Sequence, residues 1–124
     1  RIEPAIARNR LVLADRFISS TLAYQGTAGG LSPEEISIVG KVTTGGTAPD
    51  LVVILDVDTD VAASRISGEL DRMERKGRAF HERVRAGYLA QVERDPEHYL
   101  LVDASQPEDA VFEQLLSGLR ERLG

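Results

Sequence analysis

The sequence predicts an α/β protein, a parallel sheet flanked by helices, on three observations. Leu11–Ala14, Leu51–Val57 and Tyr99–Val102 are short, nearly continuous apolar runs, the pattern of strands buried on both faces. Between them lie segments of helical period, clearest where Phe80, Val84, Tyr88 and Val92 recur at a spacing of four. The resulting order, α-β-α-α-β-α-α-β-α, alternates in the manner of a parallel sheet. In such sheets ligands bind beyond the carboxyl ends of the strands. Two of the predicted strands end there in polar groups able to serve, Asp15-Arg16 and Asp56.

Arg1–Ala7 reads as the end of a helix, with Ile2, Ala5 and Ile6 on one face. A chain that opens inside a helix is expected to have lost upstream sequence. Arg8-Asn9-Arg10 makes a turn into the first strand. Ser19–Tyr24 is read as a helical turn and Gln25–Leu31 as a Gly-rich loop. Ser32-Pro33-Glu34-Glu35 starts a helix, with Ser32 as N-cap, Pro33 in the first turn and Glu35 closing a capping box. Gly45-Gly46 stops it. After the second strand, Asp58-Thr59-Asp60 caps a helix through Ile66. Ser67–Gly77 is rich in charge and reads as a mobile helical loop. Arg78–Glu93 is an amphipathic helix that Asp95-Pro96 ends. The third strand closes at Asp103. Ser105-Gln106-Pro107-Glu108 leads into a last helix striped by Val111, Leu115, Leu119 and Leu123.

Composition narrows the chemistry. The length of 124 residues suits one domain. With no cysteine there are no disulfides, thiolate metal sites or thiol nucleophiles, which fits a reducing cytoplasm. Two histidines, His81 and His98, make a zinc cage unexpected, and both read as ordinary surface residues. A net charge of -5 disfavours nucleic acid as a partner. No apolar run reaches the ~18 residues of a membrane span, so none is expected.

Asp15-Arg16 is the first candidate for chemistry. An arginine at a strand tip can grip a phosphate through two parallel hydrogen bonds. The neighbouring aspartate can orient it or hold a water of Mg²⁺. By themselves the two residues fit a surface ion pair closing a strand better. Their surroundings are more specific. Asp15-Arg16-Phe17-Ile18-Ser19-Ser20-Thr21-Leu22-Ala23-Tyr24-Gln25-Gly26 resembles the Asp-Arg-aromatic…Ser…Ala-Tyr-Gln-Gly signature of thymidylate kinases. Pro49-Asp50-Leu51…Leu55-Asp56-Val57 resembles that family's next strand. Asp71-Arg72-Met73-Glu74 and Phe80–Leu89 resemble its lid and the helix behind it, and Val102-Asp103-Ala104-Ser105 its last strand and turn. The blocks stand in family order and span nearly the whole chain.

The resemblance implies an incomplete nucleoside monophosphate kinase fold, residues 1–124 being one partial domain with a lid at about 65–78. It implies transfer of a phosphoryl group from ATP, with Mg²⁺, to thymidine monophosphate. Arg16 would hold the phosphate of the acceptor, and Asp15 would support it and the Mg²⁺ shell. Thr21 would meet the thymine edge. Tyr24 would pack near the sugar and disfavour a 2′-hydroxyl, and Gln25 would line the same pocket. Arg72 is the expected phosphate contact of the lid, Arg65 its alternate, with Asp71 and Glu74 near the metal or the sugar. The lid looks a residue or two shorter than those it resembles, which leaves the catalytic arginine open. The family implies a homodimer, which surplus apolar surface at Ile36, Ile38 and Val39 allows.

No Gly-x-x-x-x-Gly-Lys-Ser/Thr, the loop that cradles donor phosphates, occurs in the sequence. The family carries that loop upstream, on a strand lying between those matching Leu11–Ala14 and Leu51–Val57. The chain alone is therefore expected to be inactive and poorly stable, with two strand edges unpaired. Two alternatives stand: a related deoxynucleoside kinase, and a degenerate or split subunit that binds without catalysis.

Overall fold

The computed structural model describes the backbone of residues 1–65 and 72–124 and, within them, every side chain except those of Thr27 and residues 72–76. Two strands form its sheet, β1 (Val52–Asp56) and β2 (Tyr99–Asp103), paired in parallel from Val52 opposite Tyr99 to Asp56 opposite Asp103. Side chains alternate across a pleated strand, so Val52, Ile54, Asp56 and their partners Tyr99, Leu101, Asp103 share one face. On that face lies helix α5 (Arg72–Arg94), where Gln91 accepts a hydrogen bond from the Tyr99 hydroxyl at 3.0 Å. Helix α6 (Glu108–Leu123) lies on the other. A Cβ on Gly118 would fall 2.6 Å from the Leu100 methyls, so only a glycine lets this helix run so close to the strand. Helices on both faces of a parallel sheet are the predicted α/β arrangement.

The remaining elements are helical. Helix α1 is Ile2–Ile6, α2 is Ile18–Thr21, α3 is Pro33–Thr44 and α4 is Thr59–Arg65. Between α1 and α2 the predicted turn is present, with Asn9 in the left-handed region at φ 54, which asparagine tolerates better than most residues. Helix α3 ends as its glycines predict. Gly46 N–H reaches Lys41 O at 3.0 Å and Gly45 N–H reaches Val42 O at 3.4 Å, the two bonds of a Schellman stop, with Gly45 at φ 63. Its start differs in detail from the expected capping box. The Ser32 hydroxyl donates to the Glu34 carboxylate at 2.8 Å and caps no backbone N–H. Asp58 does cap α4, accepting from Asp60 N–H at 2.8 Å. Helix α5 is already formed at Arg72, ahead of the predicted start at Arg78, because five good helix formers precede Gly77 and outweigh its cost of about 1 kcal/mol.

The predicted strand Leu11–Ala14 is not a strand. The segment has no regular structure and pairs with no described strand, with Leu11 80% and Leu13 88% exposed. A strand is a property of a pair of chains, and among the described residues nothing offers this run a ladder. The edge of β1 away from β2 is likewise open among the described residues. The enclosed apolar core is small: Ala23, Ile36, Ile54, Val84 and Val102. The chain exposes 9483 Å². A compact monomer of its mass would expose about 6,500 Å².

Candidate functional site

After Asp15 the chain bends at Arg16, whose φ of 67 is uncommon for a residue with a side chain. This bend throws the side chain back along α2. Arg16 Nε donates to Ser20 Oγ at 3.2 Å, and the guanidinium carbon lies 4.7 Å from the centre of the Tyr24 ring, a cation–π distance. Arg16, Ser20 and Tyr24 thus follow one another at i, i+4, i+8 along one stripe. The stripe is formed by α2 and by the π-helical turn Leu22–Thr27 that continues it, in which Ala28 N–H bonds back five residues to Ala23 O at 3.1 Å. Such turns are rare and concentrate at functional positions. The expected Gly-rich loop over Gln25–Leu31 therefore begins as ordered helix, and the Gly-rich stretch follows it.

Helix α5 braces this stripe. The Tyr88 hydroxyl donates to Ser20 Oγ at 2.7 Å, and Gln91 Nε2 donates to Ser19 O at 3.0 Å. The Tyr88 ring stands edge-on to Tyr24 at 6.4 Å and 82°, and Phe80 lies tilted against Tyr24 at 6.0 Å. Tyr24 is half-buried in this aromatic group while Arg16 stays exposed. Thr21 and Gln25 occupy the adjacent stripe. They line a hollow of about 310 Å³ between α2 and α3, with Ile18, Ile36, Val39 and Gly40. Arg16 and Tyr24 are thus brought together, and Thr21 and Gln25 are brought together on the neighbouring side.

Asp15 is exposed and hydrogen-bonds to no described residue, so its carboxylate is open to solvent. Among the described residues no three His, Cys, Asp or Glu side chains converge as a metal cage. A lone hard carboxylate still suits Mg²⁺, which takes one or two carboxylates and fills its shell with water and substrate phosphate. Asp56, the other strand-tip candidate, is occupied. Arg85 of α5 holds it with Nε at 2.8 Å and Nη2 at 3.0 Å, and reaches Asp58 with Nη1 at 3.2 Å. The paired carboxylates push the Arg85 pKa up from its ordinary value. Arg85→Ala leaves the largely covered Asp56 carboxylate without its partner. After allowance for screening at this part-exposed pair we expect a loss of about 1–2 kcal/mol. Chemical denaturation of Arg85→Ala beside Asp56→Asn/Arg85→Ala checks it, the double variant recovering part of the loss.

At the carboxyl end of β2, next to the Asp56 end of β1, Arg65 reaches across from α4 to the turn before α6. Its guanidinium donates to Ala104 O at 2.7 Å, Ser105 O at 3.0 Å and Gln106 O at 3.4 Å. It forms one wall of a shallow hollow of about 420 Å³ with Ala104, Gln106, Pro107, Glu108 and Val111. The turn is held by Asp103, whose carboxylate accepts from the hydroxyl and the N–H of Ser105. These bonds hold its pKa below the ordinary 3.8. A depressed carboxyl stabilises the fold above its unfolded value and loses that contribution as pH falls through its folded value. The stability difference between the parent and Ser105→Ala therefore shrinks below pH 3.8. Carboxyl NMR titration of Asp103 checks it, the midpoint rising in the variant.

Of the remaining expected residues, Asp71 lies outside the described residues, and the side chains of Arg72 and Glu74 lie outside the described side chains. The expected arm over about 65–78 is therefore described only at its two ends. Ser20, Tyr88 and Arg85 were not among the sequence candidates. Ser20 could have been found, being one helical turn past Arg16; Tyr88 and Arg85 come from 68 and 29 residues away from their partners and carry no local signal.

Comparison with known proteins gives one family. The family model described as thymidylate kinase matches residues 1–115. The chain is 44% identical over 126 residues to the thymidylate kinase of Pseudomonas putida (strain W619), an alignment covering 98% of the chain and 61% of that relative. It is 46% identical over 106 residues to that of Desulforudis audaxviator, covering 85% and 48%, and 38% identical over 120 residues to that of Latilactobacillus sakei, covering 94% and 56%. The chain thus spans about 60% or less of the length of these curated relatives.

Proposed function

Since the chain belongs to the thymidylate kinase family, we propose that the protein containing it transfers the γ-phosphoryl group of ATP to thymidine monophosphate. The observation that carries this reading is Arg16: an exposed guanidinium at a backbone bend, stacked on Tyr24 and bonded through Nε to Ser20, with both terminal nitrogens bonded to no described residue. That edge suits the bidentate grip of a phosphate monoester.

The other roles follow from position. Arg16 fixes the acceptor phosphate in line for transfer, a step that depends on positioning and charge neutralisation rather than on a covalent intermediate. Thr21 and Gln25 line the hollow beside it and meet the base, and the half-buried Tyr24 restricts the sugar face. Asp15, open at the bend, is the carboxylate that would hold Mg²⁺ through its water shell; the ion supplies charge neutralisation when bound. Arg65 spends three of its five N–H groups on the carbonyls of the 104–106 turn, and its contact with the donor nucleotide is through its flat face in the hollow beside Pro107 and Val111. Asp71, Arg72 and Glu74 are proposed as the groups of an arm at 65–78 that meets the transferring phosphate and the sugar.

The chain is read as one partial domain, 1–124, of a cytoplasmic protein; no helix among the described residues is long and apolar enough to cross a membrane. Of the expected apolar surplus on α3, Ile36 is buried in the core while Ile38 and Val39 are 63% and 61% exposed; with Val42, 76% exposed, they form an apolar strip that supports pairing with a second copy. Nucleic acid is not a proposed partner. Because its sequence holds no phosphate loop, the 124-residue chain by itself is expected to give no turnover.

The test is ADP release by the protein expressed from its complete gene, with Mg²⁺, ATP and either thymidine monophosphate or thymidine. Turnover confined to the monophosphate is expected. Preference for the nucleoside would point instead to a deoxynucleoside kinase, and binding of the monophosphate without ADP release to a non-catalytic subunit; either result sinks the proposal.

A further inference from the structure

Ser20 is the buried polar side chain among the described residues, 8% exposed, and its hydroxyl oxygen accepts from two directions. One bond comes from Arg16 Nε at 3.2 Å, the other from the Tyr88 hydroxyl at 2.7 Å. Tyr88 also touches the second support of the guanidinium, since its ring stands edge-on to Tyr24, on whose face Arg16 is stacked. One residue of α5 thus meets both groups that hold Arg16. This matters because an exposed arginine has many rotamers, and fixing them on binding a ligand costs affinity. The Tyr88 bond pins the Ser20 rotamer and aims its oxygen at Nε. With Nε fixed, Nη1 and Nη2, which bond to no described residue on this exposed side chain, remain as a ready-made fork.

We infer that Tyr88, acting through Ser20, is a positioning residue that pre-sets the Arg16 guanidinium for the acceptor's phosphate; this rests on Arg16 being the phosphate-holding group. Tyr88 itself touches no reacting atom. Its hydroxyl raises affinity for a nucleoside monophosphate and leaves affinity for the nucleoside unchanged, because only the phosphate reads the fork. It also couples α5 to the acceptor site, so displacement of that helix from α2 would loosen the fork.

The measurement is calorimetric binding of thymidine monophosphate and of thymidine to the protein expressed from its complete gene. Tyr88→Phe, which keeps the ring, is expected to weaken monophosphate binding by about three- to tenfold, the worth of one hydrogen bond. Thymidine affinity should stay within about twofold, a change smaller than that bond would cause. Ser20→Ala should behave alike and Ser20→Thr should largely restore binding. The double variant Ser20→Ala/Tyr88→Phe should be no weaker than Ser20→Ala, since both act through one guanidinium. Equal weakening of both ligands in Tyr88→Phe, or of neither, overturns the inference, as does strict additivity. Arg16→Ala separates the two levels. If it abolishes the preference for the monophosphate while Tyr88→Phe leaves it intact, the relay alone falls. If it leaves the preference intact, the phosphate role of Arg16 falls and the inference with it.

Discussion

Arg16→Ala should lower affinity for thymidine monophosphate by about two to three orders of magnitude. Two charge-assisted hydrogen bonds are at stake, together about 3–4 kcal/mol, and about 1.4 kcal/mol is a factor of ten. Arg16→Lys should recover only a small part, because an ammonium has no planar fork and a poorer stack on Tyr24. The backbone sharpens the comparison. At φ 67 an alanine is as strained as the arginine, so Arg16→Ala removes the side chain without relaxing the bend, whereas Arg16→Gly does both. Arg16→Gly should therefore be the more stable of the two while binding equally poorly. Isothermal titration and thermal melts of the three variants check this, and Arg16→Ala with parental affinity would refute it.

Ala23→Leu should cost about 3 kcal/mol of stability, at the upper end for overpacking. A loss of that size lowers Tm by about 6–12 °C in a domain of about 150–250 residues. Ala23 is 0% exposed in the π-helical turn, against which α2, α3 and α5 all pack, so an isobutyl group there finds no void. The site should suffer along with the fold. Tyr24 is its sequence neighbour, and the Tyr24–Tyr88 contact spans the junction that the larger side chain forces apart. Scanning calorimetry and monophosphate binding measured together check this. Ala23→Ser, nearly the same size, should lose much less. A parental Tm for Ala23→Leu would show that the turn can yield, and would refute the packing account.

Elements whose signals are local were legible in the sequence. Ser32-Pro33 and Gly45-Gly46 bracket α3 as expected, and Asp58 caps α4. The alternation of apolar runs and helical periods predicted the parallel sheet, because burial on both faces leaves its mark on each strand separately. Leu11–Ala14 carries the same mark, but hydrogen-bond pairing is supplied by another segment, and the structure leaves this one without a described partner and its leucines exposed. The π-helical turn was not legible. Its side chains are those of an ordinary helix end, and the extra residue per turn is imposed by packing against α3 and α5. In the site, Arg16 with Tyr24 was legible as a motif at fixed spacing. The bracing by Tyr88 and the capture of Asp56 by Arg85 were not, since residues far apart in sequence meet only through the fold.

The open side of β1 has a colloidal consequence. Leu55, at 56% exposure, flanks a row of backbone donors and acceptors that no described strand takes up, with Leu11 and Leu13 bare elsewhere on the surface. Concentrated solutions of the 124-residue chain should therefore turn cloudy and stain with amyloid-type dyes, each molecule offering the next a template for strand addition.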